Sequence, residues 1–325
     1  MNKNLLEVKN LVTRFFNLNS IIEPVRGVSF HLNKGEILGI AGESGSGKSL
    51  TCLSILGLIP PPGKIVNGDI IVEGTNIVGE SDKWVRKNIS GKKIGMIFQD
   101  PLVVLDPVYN VSWQMKEAQL LSKNKGRNKK VSNQILIDIL KKMDIADPEE
   151  VIYKYPHQLS GGLRQRVVIA IVLLLKPSIL IADEATTSLD VTVQKKVLDI
   201  ISDLRRDDEM SVIIVSHDLN LIAERCDRMI VMYGGLILDS AESKKVLEHP
   251  KSPYTQALVK CIPPLYGDKS NFEPIPGEVA NIFKMPNGCP FHPRCNKRGK
   301  GCDEKIPELI EIEEGHHVRC FYPLD

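Results

Sequence analysis

No stretch of this sequence stays apolar long enough to cross a bilayer. The longest apolar run, Val167 to Leu175, is nine residues, about half of the roughly 20 that a spanning helix needs. It reads as a core helix. The start of the chain, Met1 to Glu7, also lacks the apolar run of a signal peptide. The expectation is a cytoplasmic chain that reaches a membrane only through a partner. Charge of one sign is missing too: 42 Lys and Arg stand against 40 Asp and Glu, for a net charge of +2. That balance gives no electrostatic case for nucleic acid as the main ligand. There is no internal repeat and no low-complexity tract. The hydrophobic fraction of 42% and charged fraction of 25% are those of an ordinary globular protein. A chain of 325 residues can bury one large core and an accessory domain.

Seven cysteines are present, an odd number. Cys52, Cys226 and Cys261 are scattered among apolar residues and read as buried, inert thiols. The other four, Cys289, Cys295, Cys302 and Cys320, crowd into the last 37 residues. In a reducing compartment such crowding points to a metal site before disulfides.

Along the chain, short strands are expected at Leu6–Asn10, Val25–Leu32 and Glu36–Ala41. A Gly-rich turn and a helix over Lys48–Gly57 follow, then a sharp break at Pro60–Gly63. Further strands are expected at Asp69–Glu73 and Ile94–Phe98. From about residue 105 polar and basic residues mix with helical spacing, as in Ile135, Leu140 and Met143, which marks a helical insertion (about 105–165). After it come a helix (Leu163–Leu175), an apolar strand (Ile179–Ala182), a helix (Thr192–Arg206), an apolar strand (Val212–Val215) and another helix. Strands apolar on both faces, alternating with helices, predict an α/β fold with a sheet buried on both sides, parallel at its centre. Beyond about residue 240 the alternation decays. The division expected is 1–240 for the α/β domain and 241–325 for a small Pro-, Gly- and Cys-rich region.

Gly42-Glu43-Ser44-Gly45-Ser46-Gly47-Lys48-Ser49 fits G-x-x-x-x-G-K-[ST] and lies between an apolar strand and a helix. Glycines let backbone N–H groups turn toward a phosphate, and the helix N-terminus adds partial positive charge. Lys48 reaches the β- and γ-phosphates of ATP, and the Ser49 hydroxyl ligates Mg²⁺. Gly42, Ser44, Gly45, Ser46, Gly47, Lys48, Ser49 and Leu50 are the candidate nucleotide-binding residues. Asp183 and Glu184 emerge from the end of the strand Ile179–Ala182, the edge at which open α/β sheets bind ligands. Asp183 is expected to hold Mg²⁺, and Glu184 to act as general base on the attacking water.

Leu159-Ser160-Gly161-Gly162-Leu163 resembles the signature motif of ABC ATPases, with Leu163 in place of the usual Gln. Ser160 and its glycines open a helix and offer donors to a phosphate, although such a helix start can also be purely structural. Gln99 resembles the Q-loop residue, Ser188-Leu189-Asp190 the D-loop, and His217 the switch histidine. The resemblance covers about residues 5–240 and implies a P-loop ABC-type nucleotide-binding domain with a helical subdomain. It implies that two such domains close head to tail around two ATPs, with Ser160, Gly161 and Gly162 serving the partner's nucleotide. Gln99 would then sense Mg²⁺ and water and couple to membrane subunits, His217 would contact the γ-phosphate, and Asp190 would belong to the nucleotide site. Family members also stack an aromatic on adenine. Phe15 is the choice here, with Phe16 beside it, and core packing of either ring is the competing reading.

His249-Pro-Lys-Ser-Pro253-Tyr254-Thr255 and the sequences Cys289-Pro-Phe-His-Pro-Arg-Cys295, Cys302 and His317-Val-Arg-Cys320 resemble the tail of oligopeptide/dipeptide importer ATPases, a subfamily to which nickel importers are related. The resemblance implies a peripheral ATPase at the cytoplasmic face of the membrane. Its partners would be a related second ATPase subunit, two transmembrane permeases and, indirectly, an extracytoplasmic solute-binding protein. Some members carry a [4Fe–4S] cluster at the four cysteines. The spacing C-x₅-C-x₆-C-x₁₇-C is unlike the C-x₂-C pairs of zinc ribbons. Arg294, Lys297, Arg298, Lys300 and Arg319 would offset thiolate charge around iron–sulfur and zinc alike, so iron–sulfur, zinc and unmetallated thiols all stay open. A soluble ABC ATPase of ribosomes or DNA is the reading from another class. It lacks support, since neither a second ATPase domain nor a long coiled coil is present. An exporter ATPase is disfavoured by the importer-like tail.

Overall fold

The computed structural model describes residues 4–17, 20–98, 104–122, 132–184, 191–208, 210–261 and 274–325. Two compact units result, one of Met1–Gly79 with Ile214–Asp325 and one of Glu80–Ile213.

The first unit begins with β1 (Asn4–Asn17), β2 (Ser20–Asn33), β3 (Ile37–Ala41), the helix Lys48–Ile55, β4 (Gly63–Val72) and β5 (Thr75–Asn76). An antiparallel sheet runs in the order β2-β1-β4-β5. β1 extends well past Asn10, where the expected strand ended. The buried residues are Leu6 and Val8 on one side of Asn10, then Leu11 and Thr13 on the other. The alternation changes phase there because Asn10 has a φ of 46° and the register shifts between Val8 and Leu11. A bulge of this kind disguises one long strand as a short one. β4 likewise starts six residues before Asp69, through a polar stretch that pairs with β1. All five residues of β3 are buried, which agrees with the expected two-sided burial.

The second unit contains the helix Asp82–Asn88, β6 (Ile94–Ile97), the helices Val111–Ser122, Asn133–Lys142, Pro148–Val151 and Gly161–Leu174, β7 (Ile179–Asp183) and the helix Val191–Asp208. β6 and β7 pair in parallel, with Ile94 opposite Ile179 and Ile97 opposite Ala182. The helical insertion is present. Its helices open on side-chain caps: Asn110 accepts from the Trp113 N–H, and Ser132 from the Gln134 N–H. The long apolar run is the core helix Gly161–Leu174, whose Val167, Val168, Ile169 and Ala170 are all buried. Among the described residues no helix is long and apolar enough to cross a membrane.

β8 (Ser211–Ser216) leads back into the first unit. There follow the helix Leu219–Arg225, β9 (Arg228–Tyr233), β10 (Leu236–Glu242), the helices Ser243–Glu248 and Pro253–Lys260, and finally β11 (Ile310–Glu313) and β12 (His316–Val318). β9 lies parallel to β3 and antiparallel to β10, and β12 pairs with both β10 and β11. The C-terminal hairpin thus extends a sheet begun by β3. Short alternation around Gly315 was its only sequence signal. Of the three scattered cysteines, Cys52 and Cys226 are buried as expected, whereas Cys261 is partly exposed.

Candidate functional site

The phosphate loop connects β3 to the helix Lys48–Ile55 in the first unit. Two of its glycines are dictated by the fold. Gly42 has a φ of 144°, and a Cβ there would sit 2.2 Å from the Met232 carbonyl oxygen. Gly47 has a φ of 102°, and its Cβ would fall 2.4 Å from the Pro24 carbonyl oxygen. Only glycine meets both demands. Ser44, Gly45 and Ser49 are exposed, Leu50 is partly exposed, and Ser46 is buried. Lys48 is 5% exposed. Its Nζ donates to the carbonyls of Gly42 (2.8 Å) and Glu43 (2.9 Å), so the loop is wrapped around its own ammonium group.

Phe15 is half-buried and lies over Gly63, where a Cβ would be 2.8 Å from its ring. It shares a strand face with Thr13, whose hydroxyl is 2.9 Å from that of Ser54 in the phosphate-loop helix. Phe16 points to the other face, 43% exposed. His217 is exposed in the bend after β8. The next residue, Asp218, caps the helix Leu219–Arg225 by accepting from the N–H groups of Asn220 and Leu221.

In the second unit, Asp183 ends β7 and is buried. Glu184 follows with a φ of 46°, a left-handed conformation that a glutamate adopts at a cost. Ser160 caps the helix Gly161–Leu174, its hydroxyl accepting from the Leu163 N–H at 3.3 Å. A Cβ on Gly161 would meet nothing within 4 Å. Gln99, Ser188, Leu189 and Asp190 lie outside the described residues.

Cys289, Cys295, Cys302 and Cys320 line one cavity, together with Phe291, His292 and Tyr322. The turns around them are tied to each other: the Cys289 N–H donates to the Cys302 carbonyl (2.8 Å) and the His292 N–H to the Cys289 carbonyl (3.0 Å). Burial pushes the Cys289 thiol up to about 11, with the neighbouring thiols adding to it. Cys295 and Cys320 are raised for the same reasons. Among the described residues, no three His, Cys, Asp or Glu side chains are grouped to hold a metal ion. The basic residues are not a common counter-charge either. Arg294 is paired with Glu43, Arg298 with Asp303, and Arg319 donates to the Ile237 and Pro307 carbonyls. Lys297 and Arg319 do line the cavity.

Residues 25–187 match the family model described as ABC transporter, and residues 239–302 match the oligopeptide/dipeptide transporter C-terminal region. The dipeptide transport ATP-binding protein of Escherichia coli (strain K12) is 38% identical over 321 residues, covering 99% of this chain and 97% of that protein. The chain is a member of the ABC transporter ATP-binding family. A dipeptide transport ATP-binding protein of Bacillus subtilis (strain 168) is 41% identical over 98% of this chain and 94% of its own length. An oligopeptide transport ATP-binding protein from the same strain is also 41% identical, over 98% and 96%. Among solved structures, a dimeric ATP-binding cassette in a post-hydrolysis state with ADP and phosphate superposes with a TM-score of 0.64. It is 27% identical, and the match covers 73% of this chain and 98% of that one.

Sequence reading overlooked what holds the loop of this ABC ATPase from outside. The Glu43 N–H donates to the Tyr254 hydroxyl (3.0 Å), the Gly235 N–H donates to the Ser46 carbonyl (3.0 Å), and Arg294 donates to the Glu43 carboxylate. Tyr254 is deeply buried, and that burial pushes its hydroxyl well above the usual tyrosine range. The acidic residue inside the loop was the available signal, since a carboxylate beside a phosphate site calls for a cation of its own.

Proposed function

We propose that this chain is the ATP-hydrolysing subunit of an ABC importer that energises uptake of di- and oligopeptides through partner permeases. The observation that carries the reading is one compact unit holding both a phosphate loop and a tail matched to the oligopeptide/dipeptide transporter C-terminal region. The functional division is 1–240 for the ATPase domain and 241–325 for the importer-type region.

Lys48 and the N–H groups from Gly42 to Leu50 hold the phosphates. Ser49, Asp183 and Gln99 hold Mg²⁺, Glu184 takes the proton of the attacking water, and His217 contacts the γ-phosphate. Phe15 stacks on adenine, a role supported by its strand face being that of the phosphate-loop helix. Ser160, Gly161 and Gly162 act on the nucleotide of a second ATPase subunit, and Asp190 belongs to the nucleotide site. The open space at Gly161 supports this, because nothing in the surrounding fold requires a glycine there.

The chain works peripherally at the cytoplasmic face of the membrane. An exposed stack of Tyr109 on Trp113 (centroids 3.8 Å apart), beside the 69% exposed Val108, suits an apolar segment of a permease. A related second ATPase and two permeases complete the assembly, with an extracytoplasmic binding protein delivering solute.

The four tail cysteines hold a [4Fe–4S] cluster. Zinc needs its four sulfurs about 2.3 Å from a single point, whereas an iron–sulfur cluster distributes its cysteine ligands over several irons. Four thiols lining one cavity support a cysteine-ligated group there. The cluster supplies a covalent cross-link for a segment with little apolar core of its own.

Reconstitution with the permeases in vesicles tests the assignment. ATP-dependent accumulation of a labelled dipeptide is expected. Uptake of Ni²⁺ without peptide would replace the solute, and co-purification with ribosomes or DNA would overturn the class.

A further inference from the structure

We propose that Arg294 is a positioning residue for the phosphate loop, acting through Glu43, so that the cysteine-lined segment sets the affinity for nucleotide. This rests on the reading that the loop Gly42–Ser49 binds nucleotide phosphates.

Glu43 is the second residue of that loop, and its polar groups leave in three directions. Its N–H donates to Tyr254 Oη at 3.0 Å. Its carbonyl accepts from Lys48 Nζ at 2.9 Å. Its carboxylate accepts from Arg294 Nη1 at 2.7 Å and from Nη2 at 3.2 Å, a two-pronged contact that fixes orientation as well as distance. The Arg294 side chain is 5% exposed and that of Glu43 23%, so solvent screens the pair only weakly.

Arg294 is itself held from behind. Its Nε donates to the Pro276 carbonyl (2.9 Å) and its Nη1 to the Tyr233 hydroxyl (3.3 Å). Its guanidinium lies 5.9 Å from the Tyr233 ring centre and 6.0 Å from that of Phe291. Tyr233, Tyr254 and Phe291 touch one another, with centroids 4.6 to 5.4 Å apart. The guanidinium therefore has little freedom to follow Glu43 if the loop moves.

The backbone of Arg294 belongs to the cysteine cavity. It ends the short turn His292–Arg294, which the Cys289 carbonyl anchors through the His292 N–H, and it is bonded to Cys295. Cys289 and Cys295 both line the cavity. A continuous path thus runs from Cys295 through Arg294 and Glu43 to Lys48. Any change that lets the cysteine turns shift moves the guanidinium and releases the carbonyl that orients the ammonium. Preorganised groups bind more tightly because ordering is not charged to the ligand. By linkage, the same coupling acts in reverse on the cysteine turns.

The test is equilibrium binding of MgADP, by calorimetry, to the full-length protein and its variants. Arg294→Gln and Glu43→Gln should each weaken binding about tenfold, within the usual range of coupling between sites. The double variant should bind no more weakly than either single one. Arg294→Lys, which keeps the charge and loses the fork, should recover part of the loss. Cys295→Ser should weaken binding in the natural background and change nothing in the Glu43→Gln background. If Arg294 only stapled the tail, its loss would lower the unfolding temperature without this non-additivity. Losses that add in the double variant would overturn the proposal. So would unchanged binding in Glu43→Gln, a near-isosteric variant that remains informative if Arg294→Gln does not fold. Lys48→Ala separates the two readings. Weak binding there with unaffected Glu43→Gln sinks only this inference, while unaffected Lys48→Ala sinks the phosphate-loop assignment itself.

Discussion

His316 Nε2 lies 2.8 Å from Asp239 Oδ1, and both residues are fully buried. The other Asp239 oxygen accepts the N–H groups of Lys251 and Ser252, at 3.1 and 2.9 Å. One side chain thereby ties β10 to β12 and to the residues that open the helix Pro253–Lys260.

Asp239→Ala should consequently be among the most destabilising changes in the first unit. It leaves three buried donors without an acceptor, each worth about 1–3 kcal/mol. A loss of about 3 kcal/mol or more is expected in chemical unfolding. Limited proteolysis should show the hairpin of β11 and β12 opening before the rest. Asp239→Asn keeps one carbonyl oxygen and should cost less. Equal stability of Asp239→Ala and the natural protein would contradict the tethering role.

Gly161→Ala separates fold from function. The added methyl has open space around it, the backbone is not in the left-handed region, and alanine is the better helix former. The unfolding temperature should hold or rise. ATP hydrolysis by the assembled transporter should fall at least about tenfold if the proposed contact holds, because the methyl would then stand where a partner's phosphate approaches a helix N-terminus. Full hydrolysis would remove Gly161 from the proposed nucleotide contact.

Glu184→Gln and Lys48→Ala should fail in different ways. Glutamine occupies the same left-handed backbone as readily as glutamate, so ATP binding should persist while steady-state hydrolysis drops about 10²–10⁴-fold. Lys48→Ala removes the charge the loop is wrapped around, and the dissociation constant for ATP should rise. Turnover of Glu184→Gln within a few-fold of the natural protein would exclude it as general base.

Protein purified without oxygen should be brown, with broad absorption near roughly 400 nm and about four irons per chain, as expected for a cysteine-ligated cluster. Cys302→Ser should lose colour and loosen the tail to protease, since metal binding and local folding are coupled. One zinc in a colourless protein would replace the cluster assignment. A metal-free, protease-resistant tail would remove both.

The core of the fold was legible from local chemistry. β3, β7 and β8 are short apolar runs bounded by turn signals, and runs of that length are expected as strands buried on both faces. The phosphate loop was legible because Gly42 and Gly47 meet backbone demands that no other residue meets, and the acidic pair Asp183–Glu184 because it ends an apolar strand. The full length of β1 was hidden by the bulge at Asn10, which inverts the alternation on which strand recognition depends. The C-terminal hairpin was hidden by its brevity.

Residue identity and spacing by themselves marked the phosphate loop and the four cysteines as a set, and the resemblance of further motifs pointed to the family. Only the tertiary structure decided what those parts touch. The chain on both sides of residue 240 packs into one unit. Arg294 stands 251 residues from Glu43, and a contact across that distance leaves no local pattern. Its partner is selected by burial, because a guanidinium deprived of water must find hydrogen-bond acceptors, and folding brings the carboxylate of the phosphate loop to it.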